Sequence, residues 1–187
     1  MLSIVIVTHN CARSLGPTLA SLVPGAVEGI VSEVIAVDTG SSDDTLELAD
    51  AAGCVVVLAA SRAAGLRAAA TAARTRWLMF LRPGFLPEPH WTLAVGRFLE
   101  TVGAEVDWPA AIFARPADRE SSRSTARQLL RRLVAPILRP LDPEQGLLIS
   151  KRAYEMLGGH RDDIRDCETD LMRRIGRSRI WVLGVPR

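Results

Sequence analysis

Residues 32–45 read SEVIAVDTGSSDDT, and the change of character inside this stretch decides the fold. Val34, Ile35, Ala36 and Val37 form an unbroken apolar run, which suits a strand covered on both faces rather than one with a wet side. The run stops at Asp38. TGSSDD (39–44) is a polar turn whose side chains readily bond nearby backbone, and a helix follows from about Thr45 to Ala52. Strand, turn and helix come in quick succession.

The same unit repeats outward in both directions. LSIVIVT (2–8) is a buried strand, followed by a helix through Leu15, Leu19 and Leu22. CVVVLAA (54–60) is a third strand, the alanine-rich segment 63–74 a helix, and WLMFL (77–81) a fourth strand. Such alternation with continuous apolar strands predicts an α/β domain whose mostly parallel sheet is covered by helices. The second half is less regular. A helix near His90 to Thr101 leads into VDWPAAIF (106–113), then a polar, arginine-bearing segment of about 115–139. LLI (147–149), a helix from Lys151 to Leu157 stopped by Gly158-Gly159, a helix of about 168–175 and the strand IWVL (180–183) complete the chain. One domain of 187 residues is expected, with a first half of about 1–110 and a second of about 111–187.

Composition narrows the function. A formal net charge of +2 excludes the strongly basic surface that nucleic acid requires, so no nucleic-acid partner is expected. Lys151 is the only lysine among the basic residues. Cys11, Cys54 and Cys167 are odd in number and widely spaced, which suits a reducing, cytoplasmic setting rather than a disulfide framework or zinc site. The opening MLSIVIV lacks a basic leader, and no apolar run approaches the ~18 residues of a membrane span. In SRSTARQLLRRLVAPILR (122–139), Leu129, Leu130, Leu133 and Ile137 share a face opposite arginines. Such a helix can rest on an anionic membrane, but packing over the domain's own core is the preferred reading.

In open parallel sheets, ligands bind beyond the carboxyl ends of the strands. The residues there are Thr8, His9 and Asn10, then Asp38 to Ser42, then Arg82, Pro83 and Gly84. The first two sets precede helix N-termini, where free N–H groups favour anions. A phosphate- or nucleotide-binding crevice follows from position and polarity alone.

SIVIVTHN (3–10), EVIAVDTGSSDDT (33–45), the alanine-rich helix with its arginines and WLMFL (77–81) together resemble the nucleotide-binding half of family-2 glycosyltransferases. QGLLISKRAYEMLGGH (145–160) and CETDLMRRIGRSRIWVL (167–183) resemble their acceptor half. The resemblance implies a GT-A fold, related to the Rossmann fold, that transfers sugar from a nucleotide-activated donor to an acceptor the sequence does not name. His9 falls where the family has an aromatic residue stacked on the donor base, with Thr8 and Asn10 able to bond base or ribose. These residues could equally end the strand and cap the next helix. Asp38 matches the first acid of the family's paired-acid motif and Thr39 replaces the second. Asp38 would bind the nucleoside, or else close a local turn with Ser41, Ser42 and Asp44. Arg67, with Arg62 near it, is where a basic residue holds the donor diphosphate, unless both are merely solvated.

Glu168 aligns with the second acid of the family's Glu-Asp motif, whose carboxylate takes the acceptor hydroxyl's proton in inverting transfer. Cys167 replaces the first acid, and first-turn acids favoured by the helix dipole offer the plainer reading of Glu168 and Asp170. Arg82, Pro83 and Gly84 fall on the Asp-x-Asp motif that holds Mg2+ or Mn2+ in the family. With those ligands missing no metal cofactor is expected. A guanidinium at Arg82 could meet the diphosphate instead, or Arg82 could face water at a type II turn. Against the enzyme stand two other readings. A non-catalytic nucleotide-sugar-binding or regulatory module fits the several departures from the family pattern. A nucleotidyltransferase would want a glycine- and lysine-rich loop after the first strand, which the chain lacks.

Overall fold

The apolar runs become strands because they have no polar face to give to water. In the computed structural model, which describes residues 1–102, 110–114 and 142–183, β1 (Leu2–Thr8) and β4 (Trp77–Leu81) are buried at every residue. They join β2 (Val31–Asp38), β3 (Val55–Leu58), β5 (Ala110–Phe113), β6 (Leu147–Ser150) and β7 (Ile180–Leu183) in one sheet, ordered β3-β2-β1-β4-β6-β5-β7. β1 lies parallel to β2 and β4, β2 to β3, and β5 to β7. β6 runs against both its neighbours, so the sheet is mixed but mostly parallel.

Side chains alternate across each strand, and two cores result. On one face Val5, Val37 and Phe80 meet α3 (Arg62–Ala72), α5 (Lys151–Met156) and α6 (Cys167–Ile175) through Leu66, Tyr154 and Leu171. On the other, Ile4, Met79 and Leu81 meet α1 (Ala12–Val27), α2 (Thr45–Ala51) and α4 (Trp91–Val102) through Leu15, Ala49 and Phe98. β3 is shorter than its apolar run because it is an edge strand, with Val55 and Leu58 exposed. The expected amphipathic helix of 122–139, like residues 106–109 of the fifth apolar run, lies outside the described residues. Among the described residues no helix is long and apolar enough to cross a membrane. Cys11, Cys54 and Cys167 are free thiols.

Register brings the site together. Thr8 pairs with Asp38, Asp38 with Leu58 and Ile6 with Leu81, so the carboxyl ends of the central strands stand level. Beyond β4 the chain turns as Arg82-Pro83-Gly84-Phe85 dictates. The Phe85 N–H donates to the Arg82 carbonyl at 3.0 Å, and Gly84 takes φ +92°, which only glycine adopts cheaply. The Gly84 N–H then donates to Thr18 Oγ1 at 2.8 Å, fastening the turn to α1.

A polar pair sits inside the first core. Tyr154 and His160 are both at least 97% buried, and their side chains meet at 2.8 Å between Tyr154 Oη and His160 Nδ1. The His160 N–H donates to the same Oη at 3.2 Å, so the backbone and the ring of His160 both bond the one hydroxyl. Nε2 has no partner among the described residues. Burial pushes the Tyr154 hydroxyl up to about 12 and the His160 imidazole down to about 4. Glu168 opposes the latter shift, while Arg174, Arg62 and Arg67 add to it.

Two outcomes follow for stability. α3 approaches β2 so closely that a Cβ at Gly65 would lie 2.2 Å from Val37 Cγ1 and 2.7 Å from Ala59 Cβ. Gly65→Ala therefore lowers stability by about 2 kcal/mol despite alanine's better helix propensity, read as a lower urea midpoint. For His160, the folded-state value lies below the unfolded one, so the unfolded chain binds the proton more tightly. Stability is full above about pH 6.5 and falls as pH drops towards 4. Urea midpoints across that window decline in the wild type, and His160→Phe makes the decline shallower.

Candidate functional site

The loops after β1 and β2 lie side by side and are stitched together by their own side chains. Asp38 Oδ2 accepts from the N–H groups of Gly40 and Ser41 at 2.9 and 2.8 Å, and Oδ1 from the hydroxyls of Thr8, at 3.0 Å, and Ser41. Burial alone would raise its pKa, but these bonds outweigh it and hold the carboxyl below its usual range. Four donors fill the carboxylate's acceptor positions. Thr8 is itself buried, its hydroxyl turned to Asp38 and the Val37 carbonyl. Thr8 and Asp38, expected at the base or ribose, are here bonded within the loop itself.

Asn10 takes φ +46°, and its Oδ1 accepts from the Ser42 and Asp43 N–H groups at 2.7 and 3.4 Å. It thus serves the neighbouring loop rather than capping α1. Asp43 does the work expected of Asp44: its Oδ1 accepts from the Thr45 N–H at 3.1 Å and its Oδ2 from the Ala12 N–H at 3.2 Å. His9 is exposed, with Nδ1 3.2 Å from the Thr39 carbonyl oxygen. Of the first set, His9 is the residue whose ring stands open at the crevice.

Across the sheet the picture is electrical. α6 begins beyond the end of β4, with Asp166 as its N-cap accepting from the Thr169 N–H at 3.1 Å. That places Glu168 in the first turn, turned inward and only 9% exposed. Its Oε2 accepts from Arg82 Nη2 at 2.6 Å and its Oε1 from Arg62 Nη2 at 3.2 Å. Arg82 Nη1 also lies 3.8 Å from Glu144 Oε1, on an exposed side chain. Burial works to lower the Arg82 pKa, but the Glu168 bond and the charges of Glu168, Glu144 and Asp166 raise it above its ordinary value. Arg82 thus meets the carboxylate while its side chain stays 33% exposed. The Nε atoms of Arg62 and Arg82 are buried and have no partner among the described residues, nor has His160 Nε2.

Arg67, expected at the donor diphosphate, is committed elsewhere. Its Nη1 donates to the His160 carbonyl at 2.6 Å and its Nη2 pairs with Asp162, which also accepts from Ser61 Oγ at 3.0 Å. The reason is helical geometry. Residues five apart point about 140° away from one another, so Arg62 and Arg67 cannot serve one ligand, and Ser61 as N-cap sends Arg62 towards Glu168. The sequence pattern did not separate the two arginines, and it did not mark Glu144 or His160. The capping serine before Arg62 is the signal that could have done so for that residue.

The residues at the end of β4 do not fit the family's divalent ion. Arg82, Pro83 and Gly84 bring no carboxylate, a guanidinium stands in the place, and among the described residues no three His, Cys, Asp or Glu side chains converge as a metal site. What the cluster can do is bind an oxyanion through guanidinium donors and accept a proton on Glu168.

The described fold has relatives of known structure. Glucosyl-3-phosphoglycerate synthase from Mycobacterium tuberculosis, in complex with Mn2+, UDP and glucosyl-3-phosphoglycerate, superposes with a TM-score of 0.63 at 23% identity. That match covers 97% of this chain and 68% of the synthase. The mannosyltransferase PcManGT from Pyrobaculum calidifontis, in complex with GDP-Man and Mn2+, gives 0.72 at 15% identity, over 99% of this chain and 54% of that one. No curated protein sequence matches. These likenesses show the GT-A fold. The sequence itself matches Glycosyl transferase family 2 over residues 3–157, and the chain belongs to that family.

Proposed function

We propose that the protein is a glycosyltransferase that takes a sugar from a nucleotide-activated donor and passes it, with inversion, to an acceptor hydroxyl. The observation that carries this reading is Glu168 held between Arg62 and Arg82 at the carboxyl end of β4. Family membership and the neighbours' nucleotide and nucleotide-sugar ligands support it. His9 would stack on the donor base, with Asn10 beside it. The diphosphate would lie against Arg82, whose fixed positive charge offsets the charge that grows on the leaving group. The acceptor oxygen forms a bond to the anomeric carbon as the bond to the diphosphate oxygen breaks. The hydroxyl's proton passes to a Glu168 oxygen, and the bonding pair leaves with the nucleoside diphosphate. In this scheme the guanidinium takes the metal's role, and donor binding needs no divalent ion.

A second reading has an observation of its own. Both oxygens of Glu168 are occupied by guanidinium donors, and Asp38 is saturated by its loop. A module that binds nucleotide sugars without turning them over could keep such an arrangement.

Thermal-shift measurements with UDP-, GDP- and dTDP-sugars, each with and without EDTA, separate these readings. The enzyme reading expects at least one donor to raise Tm equally with and without EDTA, and its sugar to be released or transferred. Arg82→Ala abolishes that shift, and Glu168→Gln still binds the donor while cutting kcat by roughly 10²–10⁴-fold. Binding without turnover favours the module. A strict need for added Mn2+ removes Arg82 from the metal's role, and silence with every donor overturns both readings.

A further inference from the structure

We infer that Arg62 and Arg82 form a binding site for a phosphoryl group and that Glu168 is its resident counter-anion, displaced when a diphosphate enters. The ligand's identity as a donor diphosphate rests on the glycosyl-transfer reading; the exchange itself rests on the donors around Glu168.

The cluster holds a surplus of donors. Arg62 Nε, Arg82 Nε and His160 Nε2 are the buried side-chain polar atoms without a partner among the described residues. Both arginines bond Glu168, and Glu168 is the charge acting most strongly on His160. Buried donors without acceptors are rare because each forfeits its bonds to water. Two of these atoms belong to guanidinium groups on one carboxylate whose two oxygens are already bonded, so the arginine pair has more donors than its own anion serves. A diphosphate brings more oxygens and more charge, in a shape that guanidinium forks match.

The two arms of the clamp are unequal. The Arg82 contact, at 2.6 Å, is a full charge-assisted hydrogen bond, whereas that from Arg62, at 3.2 Å, is longer than such bonds usually are. The Arg62 side chain is also 40% exposed. The Arg82 side chain is 33% exposed, so an arriving anion meets both guanidinium groups and displaces Glu168 from the weaker Arg62 bond first. The Glu168 oxygens come free only once the anion is seated. The proton acceptor is therefore released by the donor itself.

Calorimetric titration of the whole chain with inorganic pyrophosphate, and separately with UDP and GDP, tests this with EDTA present throughout. Wild-type protein binds pyrophosphate, and Arg62→Ala weakens that binding at least 10-fold. Glu168→Gln, which keeps the side chain's shape but cannot compete as an anion, tightens it at least 10-fold. This gain persists at 0.5 M salt, where a merely long-range charge effect is screened. An unchanged or weaker Glu168→Gln, a gain that vanishes in salt, or an unchanged Arg62→Ala overturns the exchange. If pyrophosphate follows the expected pattern while UDP and GDP bind no better than pyrophosphate, the exchange stands and the nucleotide-sugar reading falls. If nucleotides bind well but Glu168→Gln binds them no tighter, the exchange falls and the nucleotide-sugar reading stands.

Discussion

The carboxylate of Glu168, lying between the guanidinium groups of Arg62 and Arg82, is the contact through which the two halves of the chain make a common crevice. Its partners are 106 and 86 residues away in sequence. Through it α6 is held against the start of α3 and the end of β4. Stability alone is a poor reason for such an arrangement. A partly buried ion pair loses much of its Coulomb gain to desolvation, and apolar replacements of similar volume often do as well. A purely structural pair would also be expected to satisfy its donors, and this one leaves both Nε atoms without acceptors. The imbalance points to chemistry rather than to packing.

The two sides of the crevice divide the labour. At the ends of β1 and β2 the loop groups bond one another: Thr8 and Ser41 to Asp38, Ser42 to Asn10, Thr45 to Asp43. That side is a rigid, self-contained frame, and what it presents outward is chiefly the His9 ring. At the end of β4 charges are paired but donors are left over. A ligand can therefore gain more at the arginines than at the loops, where it would first have to break bonds already made.

Much of the fold was legible because strands buried on both faces are written as continuous apolar runs, as in LSIVIVT and WLMFL. The turn at Arg82-Pro83-Gly84-Phe85 was legible too, since proline and glycine fix backbone angles directly. The reversal of β6 was not: LLI reads the same in either direction, and only the partners β4 and β5 decide. The site was legible in its members and not in its contacts. Glu168 and Arg82 stood out by position, but nothing in CETDL or RPGF says that the two meet. Arg62 and Arg67 differ only by their place on the helix, which a ragged N-terminus hides until Ser61 is known to cap it. Asp38 shows the limit most sharply. An acid at a strand end suits a ligand and a turn equally, and the deciding fact is that Gly40 and Ser41 offer it their N–H groups.

The departures from the family pattern have a common electrical direction. Thr39 and Cys167 each stand where the pattern has an acid, and Arg82 and Gly84 stand where it has the Asp-x-Asp pair. On that resemblance each change would remove negative charge from the crevice, and Arg82 would add a positive one. In a metal site the acids exist to hold a divalent ion, and the ion's remaining charge meets the phosphates. Without the ion those acids would repel the same phosphates, so losing the metal without losing the acids would leave the crevice hostile to its ligand. Losing both together, and gaining an arginine whose charge does not depend on pH, keeps the potential positive. Glu168 is then the acid that remains inside the clamp. With Arg62 and Arg82 on its two oxygens it can balance the guanidinium charges while the crevice is empty, and it is the carboxylate placed to receive a proton once they are engaged elsewhere.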